Sequence, residues 1–89
     1  MILLAVALIG ATAARPLPLD VRRYIERREG CDHRRGEYSP DPVRDRQIEA
    51  GKRKECTGSD RELDRLRHKY RRTPRVVAAL GDYDKIEVR

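Results

Sequence analysis

The chain has 89 residues, of which 40% are charged, with a formal net charge of +6, four Tyr as its only aromatics, and two Cys. That length allows one domain at most. A chain so short and polar buries little core, and such domains often need a staple. No catalytic or cofactor-binding motif stands out from this composition, so neither an enzyme nor a bound cofactor is expected.

The first fourteen residues, MILLAVALIGATAA, carry no charged side chain, and Ala11-Thr12-Ala13 supplies the small residues that signal peptidase selects. Residues 1–14 therefore read as a signal peptide, with the n-region charge left to the amino terminus or to an upstream start. A buried N-terminal helix is the competing reading. The stretch falls short of the about 20 apolar residues a transmembrane helix needs. No cysteine follows it directly, so no lipid anchor is expected. Of the 34 apolar residues, 12 lie in this segment, whereas all 36 charged residues follow it. The remainder is polar enough to raise disorder as an alternative. Apolar residues at helical spacing argue against it.

Arg15 to Leu19 is an extended lead-in, because Pro16 and Pro18 each disfavour helix in the residue before them. Asp20 reads as an N-cap, followed by Val21, Tyr24, Ile25 and Arg28 at i, i+3, i+4 and i+7, a face that is apolar except at its last turn. Gly30 reads as the C-cap. Residues 31–41 form a polar connection, and Asp41-Pro42 signals a second helix to about Glu55, with a thin apolar face of Val43, Ile48 and Cys56. Gly51 costs that helix about 1 kcal/mol relative to Ala, so tertiary contacts or a disulfide must hold it. Ser59-Asp60-Arg61-Glu62 matches a capping box, and Leu63, Leu66 and Tyr70 continue a third helix. Thr73-Pro74 opens a short fourth helix with Val76, Val77 and Leu80 inward, closed by Gly81. The expected fold is all-α, three to four short helices over residues 20–81, with an 82–89 tail that packs back or frays.

Export turns an even cysteine count into an expected Cys31–Cys56 disulfide. On the chain-entropy model a bridge across 25 positions stabilises by roughly 3–3.5 kcal/mol, a large share of a small domain's stability. The bridge would join the ends of the first two helices. Cys31, Asp32, His33, Cys56 and His68 offer enough donors for zinc, but the spacing is not that of a zinc knuckle, so no metal is expected. A cysteine nucleophile with His33 or His68 as base would lose its thiol to the disulfide. His68 reads more simply as a surface partner of Asp64, four residues before it. The loop Asp32, His33, Arg35 and Glu37 remains as a candidate contact surface.

Arg65, Arg67, Lys69, Arg71, Arg72 and Arg75 place six positive charges in eleven positions without an acid. Such a concentration steers anionic partners, against the plain reading of a solvated helix face. Nucleic acid is disfavoured, because no aromatic suited to base stacking interleaves the run beyond Tyr70, which the helix face claims. Outside the cytoplasm the candidates are lipid headgroups, lipopolysaccharide phosphates or an acidic protein.

The run Tyr24-Ile25-Glu26-Arg27-Arg28-Glu29-Gly30-Cys31-Asp32-His33, with Arg35-Gly36-Glu37, resembles a group of short exported helical proteins of Gram-negative bacteria. Cys56-Thr57-Gly58-Ser59-Asp60, Lys69-Tyr70, Pro74, Val77, Leu80 and Tyr83 resemble the group's second half. Members often carry an aromatic where this chain has Arg34. The resemblance implies export and a shared helical fold and supplies no active residues. Residues and resemblance together lead to the expectation of a monomeric, periplasmic or secreted, non-enzymatic interaction protein that contacts an envelope partner through charged helix faces. The alternatives are a small enzyme or metal-binding protein centred on Cys31, Asp32 and His33, and an inhibitor of a cell-wall hydrolase.

Overall fold

The computed structural model describes residues 16–87. The expected signal peptide and the last two residues of the tail lie outside them. Four helices follow in chain order: α1 Leu19–Arg35, α2 Pro42–Cys56, α3 Ser59–Lys69 and α4 Pro74–Leu80. The architecture is all-α, with one disulfide between Cys31 and Cys56.

Several boundaries differ from expectation for identifiable reasons. Gly30 does not end α1, which runs on to Arg35 with Gly36 as its cap. Gly30 serves close approach instead, because the Glu55 carboxylate of α2 lies where a Cβ would stand. Asp32, His33 and Arg35 are consequently the last turn of a helix, not a loop, and Cys31 sits inside α1. At the other end Pro18, not Asp20, is the N-cap, and the Asp20 carboxylate accepts from the Val21 N–H at 2.9 Å.

The expected capping box is absent. Gly58 is the N-cap of α3, held at φ 83°, the left-handed region that glycine enters without steric cost. Ser59 becomes the first helical residue, and its buried hydroxyl has no hydrogen-bond partner among the described residues. Glu62 turns instead to Arg65. Asp41 caps α2 as expected, accepting from the Val43 N–H at 3.1 Å. Pro74 begins α4 as expected.

The core is small and comes from three helices. Val21 and Tyr24 of α1, Leu63 and Leu66 of α3, and Val76 and Leu80 of α4 form one buried cluster, with Leu17, Ile25, Tyr70 and Tyr83 packed against it. Val77 is half-exposed rather than inward, and so is Val43 on α2. Ile48 is the buried residue of α2 and lies outside the cluster.

Polar bridges and the disulfide hold α2 against the C-terminal half of α1. Arg27 donates to the backbone carbonyls of Glu55 and Thr57, Arg34 pairs with the Glu55 carboxylate, and the Cys31 and Cys56 Cα atoms stand 5.1 Å apart. Arg34 thus makes an interhelical contact through its guanidinium. Its stem lies across Gly51, the mid-helix glycine whose missing side chain leaves room for it. The α3 helix lies along the other half of α1. There Asp20 accepts from Lys69 Nζ at 2.7 Å and from the Tyr70 hydroxyl at 2.8 Å.

The described tail packs back. The buried Asp60 carboxylate accepts from the Ile86 and Glu87 N–H groups at 2.7 and 3.0 Å, and Glu87 accepts from the Asp60 N–H at 2.9 Å. Tyr83 meets Tyr24 edge to face, with ring centroids 5.9 Å apart.

Candidate anion-contacting surface

The six cations of the basic run divide into two groups of three. Arg65 forms a two-pronged pair with Glu62, at 2.7 and 3.1 Å, and lies 4.0 Å from Asp20. Lys69 pairs with Asp20, and that hydrogen bond raises its pKa. Arg67 donates to the carbonyls of Leu80 and Tyr83 at 3.1 and 2.6 Å, satisfying backbone oxygens at and just past the end of α4. These three are engaged in contacts within the chain. Arg71, Arg72 and Arg75 are exposed and pair with no carboxylate among the described residues; Arg71 donates to the His68 carbonyl at 2.9 Å.

A half-open groove of about 310 Å³ is lined by Tyr70, Val76, Val77 and Leu80 together with Arg67 from the first group and Arg71 from the second. A tight turn after α3 brings the parts together: the Thr73 N–H donates to the Tyr70 carbonyl at 2.9 Å, and α4 folds back with Val76 and Leu80 toward the core. No acidic residue occurs between Asp64 and Asp82, so nothing on these two segments cancels the exposed arginines. Asp64 itself pairs with Lys85 at 3.0 Å, not with His68.

The turn around Cys31 is arranged differently. The Asp32 carboxylate accepts from Arg28 Nε at 3.0 Å and Arg35 Nη1 at 3.2 Å, so two guanidinium groups neutralise it. His33 is exposed, with Nε2 3.7 Å from a Glu37 oxygen. Cys31 is fully buried and joined to Cys56, which leaves no thiol to attack a substrate. Among the described residues no three His, Cys, Asp or Glu side chains converge in a way that would hold a metal ion.

Arg28 is the residue of this region that sequence reasoning missed. It interrupts the apolar stripe of α1, yet it is buried. Burial opposes its charge, and hydrogen bonds with Asp32 and the Tyr24 hydroxyl outweigh that, raising its pKa. It also donates to the Asp84 carbonyl at 2.6 Å and lies 5.5 Å from the Tyr83 ring centroid. Its position on an otherwise apolar face was the available signal.

Fold and contacts together define a small, disulfide-stapled helical protein, with Arg71 lining an apolar groove next to α4. No protein-family model, curated protein or solved structure matches the chain.

Proposed function

We propose that the chain is a non-enzymatic exported protein that binds an anionic component of the cell envelope through the end of the molecule carrying Arg71, Arg72 and Arg75. The observation that carries this reading is the division of the basic run. Three cations are engaged in internal contacts, while the other three are exposed and pair with no carboxylate among the described residues, and Arg71 of these lines an apolar groove. Surface cations gathered at one site raise the local concentration of anionic partners, and salt weakens that attraction. The bonded state of Cys31 and the arginine-neutralised state of Asp32 weigh against the alternative of a catalytic centre there.

Capture from envelope extracts tests the proposal. The protein is expected to retain a partner at about 0.05 M salt and release it at about 0.5 M, where charges are screened within a few ångströms. Arg71→Ala/Arg72→Ala is expected to abolish retention. Retention that ignores both salt and these substitutions would sink the reading.

A further inference from the structure

The α4 end differs from the rest of the surface in two independent ways. In a chain with 40% charged residues, the helix PRVVAAL holds a single charge, Arg75. Its solvent side shows Pro74, Ala78 and the 48% exposed Val77 beside the groove. Three other grooves among the described residues each carry carboxylates, namely Glu26 and Glu55, Asp20 and Glu62, or Glu87. The groove at Val77 has none, and its charged lining residues are Arg67 and Arg71.

An apolar groove lined by Arg71, with exposed Arg72 and Arg75 close by in the chain, on an otherwise highly charged surface has the chemistry of a peripheral membrane contact. The apolar side enters the boundary between headgroups and acyl chains while the cations meet lipid phosphates. A folded acidic protein would match the arginines equally well but would not require the uncharged residues 76–80 that follow them. We infer that α4 docks on an anionic phospholipid surface, with Val77 and its groove taking up acyl-chain carbon and Arg71, Arg72 and Arg75 contacting phosphate. This inference rests on the function proposed above and specifies the partner of the same surface.

The chain contains no Trp, so a single introduced indole reports its own surroundings. The full chain carrying Val77→Trp is mixed with vesicles of phosphatidylglycerol and phosphatidylethanolamine, and separately with phosphatidylcholine vesicles, at about 0.1 M salt. Tyr38→Trp, at a 79% exposed position between α1 and α2, is the control. The expected result is a blue shift and quenching by brominated acyl chains for Val77→Trp with the anionic vesicles alone, and neither for Tyr38→Trp. Each surface cation contributes about fivefold to partitioning onto anionic lipid. Adding Arg71→Ala/Arg72→Ala should therefore raise the lipid concentration needed for half the shift about 20- to 30-fold. An unchanged Val77→Trp spectrum in anionic vesicles overturns the inference, even when the protein sediments with them. Equal shifts in phosphatidylcholine, or in the control, overturn it too. If the vesicles fail while salt-sensitive capture from envelope extracts persists, the partner is an acidic protein: the proposed function stands and the lipid assignment falls.

Discussion

Asp20 joins the first turn of α1 to the end of α3, and its carboxylate does so only while charged. The hydrogen bond from Lys69 Nζ lowers its pKa below the usual 3.8; partial burial works the other way, and the Tyr70 hydroxyl adds to the lowering. Glu62 is likewise held low by its hydrogen bond to Arg65. A carboxylate with a lower pKa in the folded chain binds its proton later than in the unfolded chain. Its stabilising contribution is complete above the unfolded value and disappears as pH falls through the folded one. Thermal midpoints by circular dichroism should be flat down to about pH 5 and then decline toward about pH 2. Asp20→Asn should lower the midpoint at neutral pH and flatten that decline, with Glu62 supplying what remains. Parallel curves for the two proteins would show that the Lys69–Asp20 contact contributes nothing in solution, as many exposed ion pairs do.

Among the helices, the contact of α1 with α2 depends on absent side chains. A Cβ on Gly51 would stand 2.8 Å from Arg34 Cδ and Nε, so Gly51→Ala has to push that side chain aside and disturb its pair with Glu55. Alanine gains about 1 kcal/mol over glycine inside a helix, whereas a partly exposed ion pair contributes about 0.2–1 kcal/mol. In chemical denaturation, Gly51→Ala alone should therefore gain less than about 0.5 kcal/mol, and the same change in an Arg34→Ala background the full 1 kcal/mol. Equal gains in the two backgrounds would mean that Arg34 yields without cost. The same contact explains which helix ends were legible in the sequence. The starts of α2 and α4 were, because Asp41-Pro42 and Thr73-Pro74 act within the first turn of the helix they open. The end of α1 was not: Gly30 has the identity of a cap, and its use as a gap for Glu55 depends on a helix 25 residues away. The basic run divides for a similar reason. Arg67 and Arg71 lie four residues apart and look alike in sequence, yet the turn at Thr73 carries the Leu80 and Tyr83 carbonyls to Arg67, while Arg71 stays exposed.

At the scale of the whole molecule, the core and the staple serve different parts. The buried cluster draws on α1, α3 and α4, and the tail is fastened to that unit by Asp60, Arg67 and Arg28. The α2 helix adds no residue to the cluster and is held to α1 by the disulfide and by Arg27 and Arg34. Reduction should accordingly do two things. It should lower the unfolding free energy by about 3–3.5 kcal/mol, from the loop entropy returned to the unfolded chain, against a typical total of about 5–15 kcal/mol. It should also loosen the molecule unevenly, since local opening follows the density of buried contacts. Amide exchange measured with and without reductant should accelerate most around Ile48 and the C-terminal turn of α2, and least at Leu63 and Leu66. The arginines and groove proposed to meet lipid sit on the three-helix unit, so vesicle binding should outlast reduction under conditions where that unit stays folded. Uniform acceleration across all four helices would instead make the Cys31–Cys56 bridge a support of the whole core, and vesicle binding would then be lost together with α2.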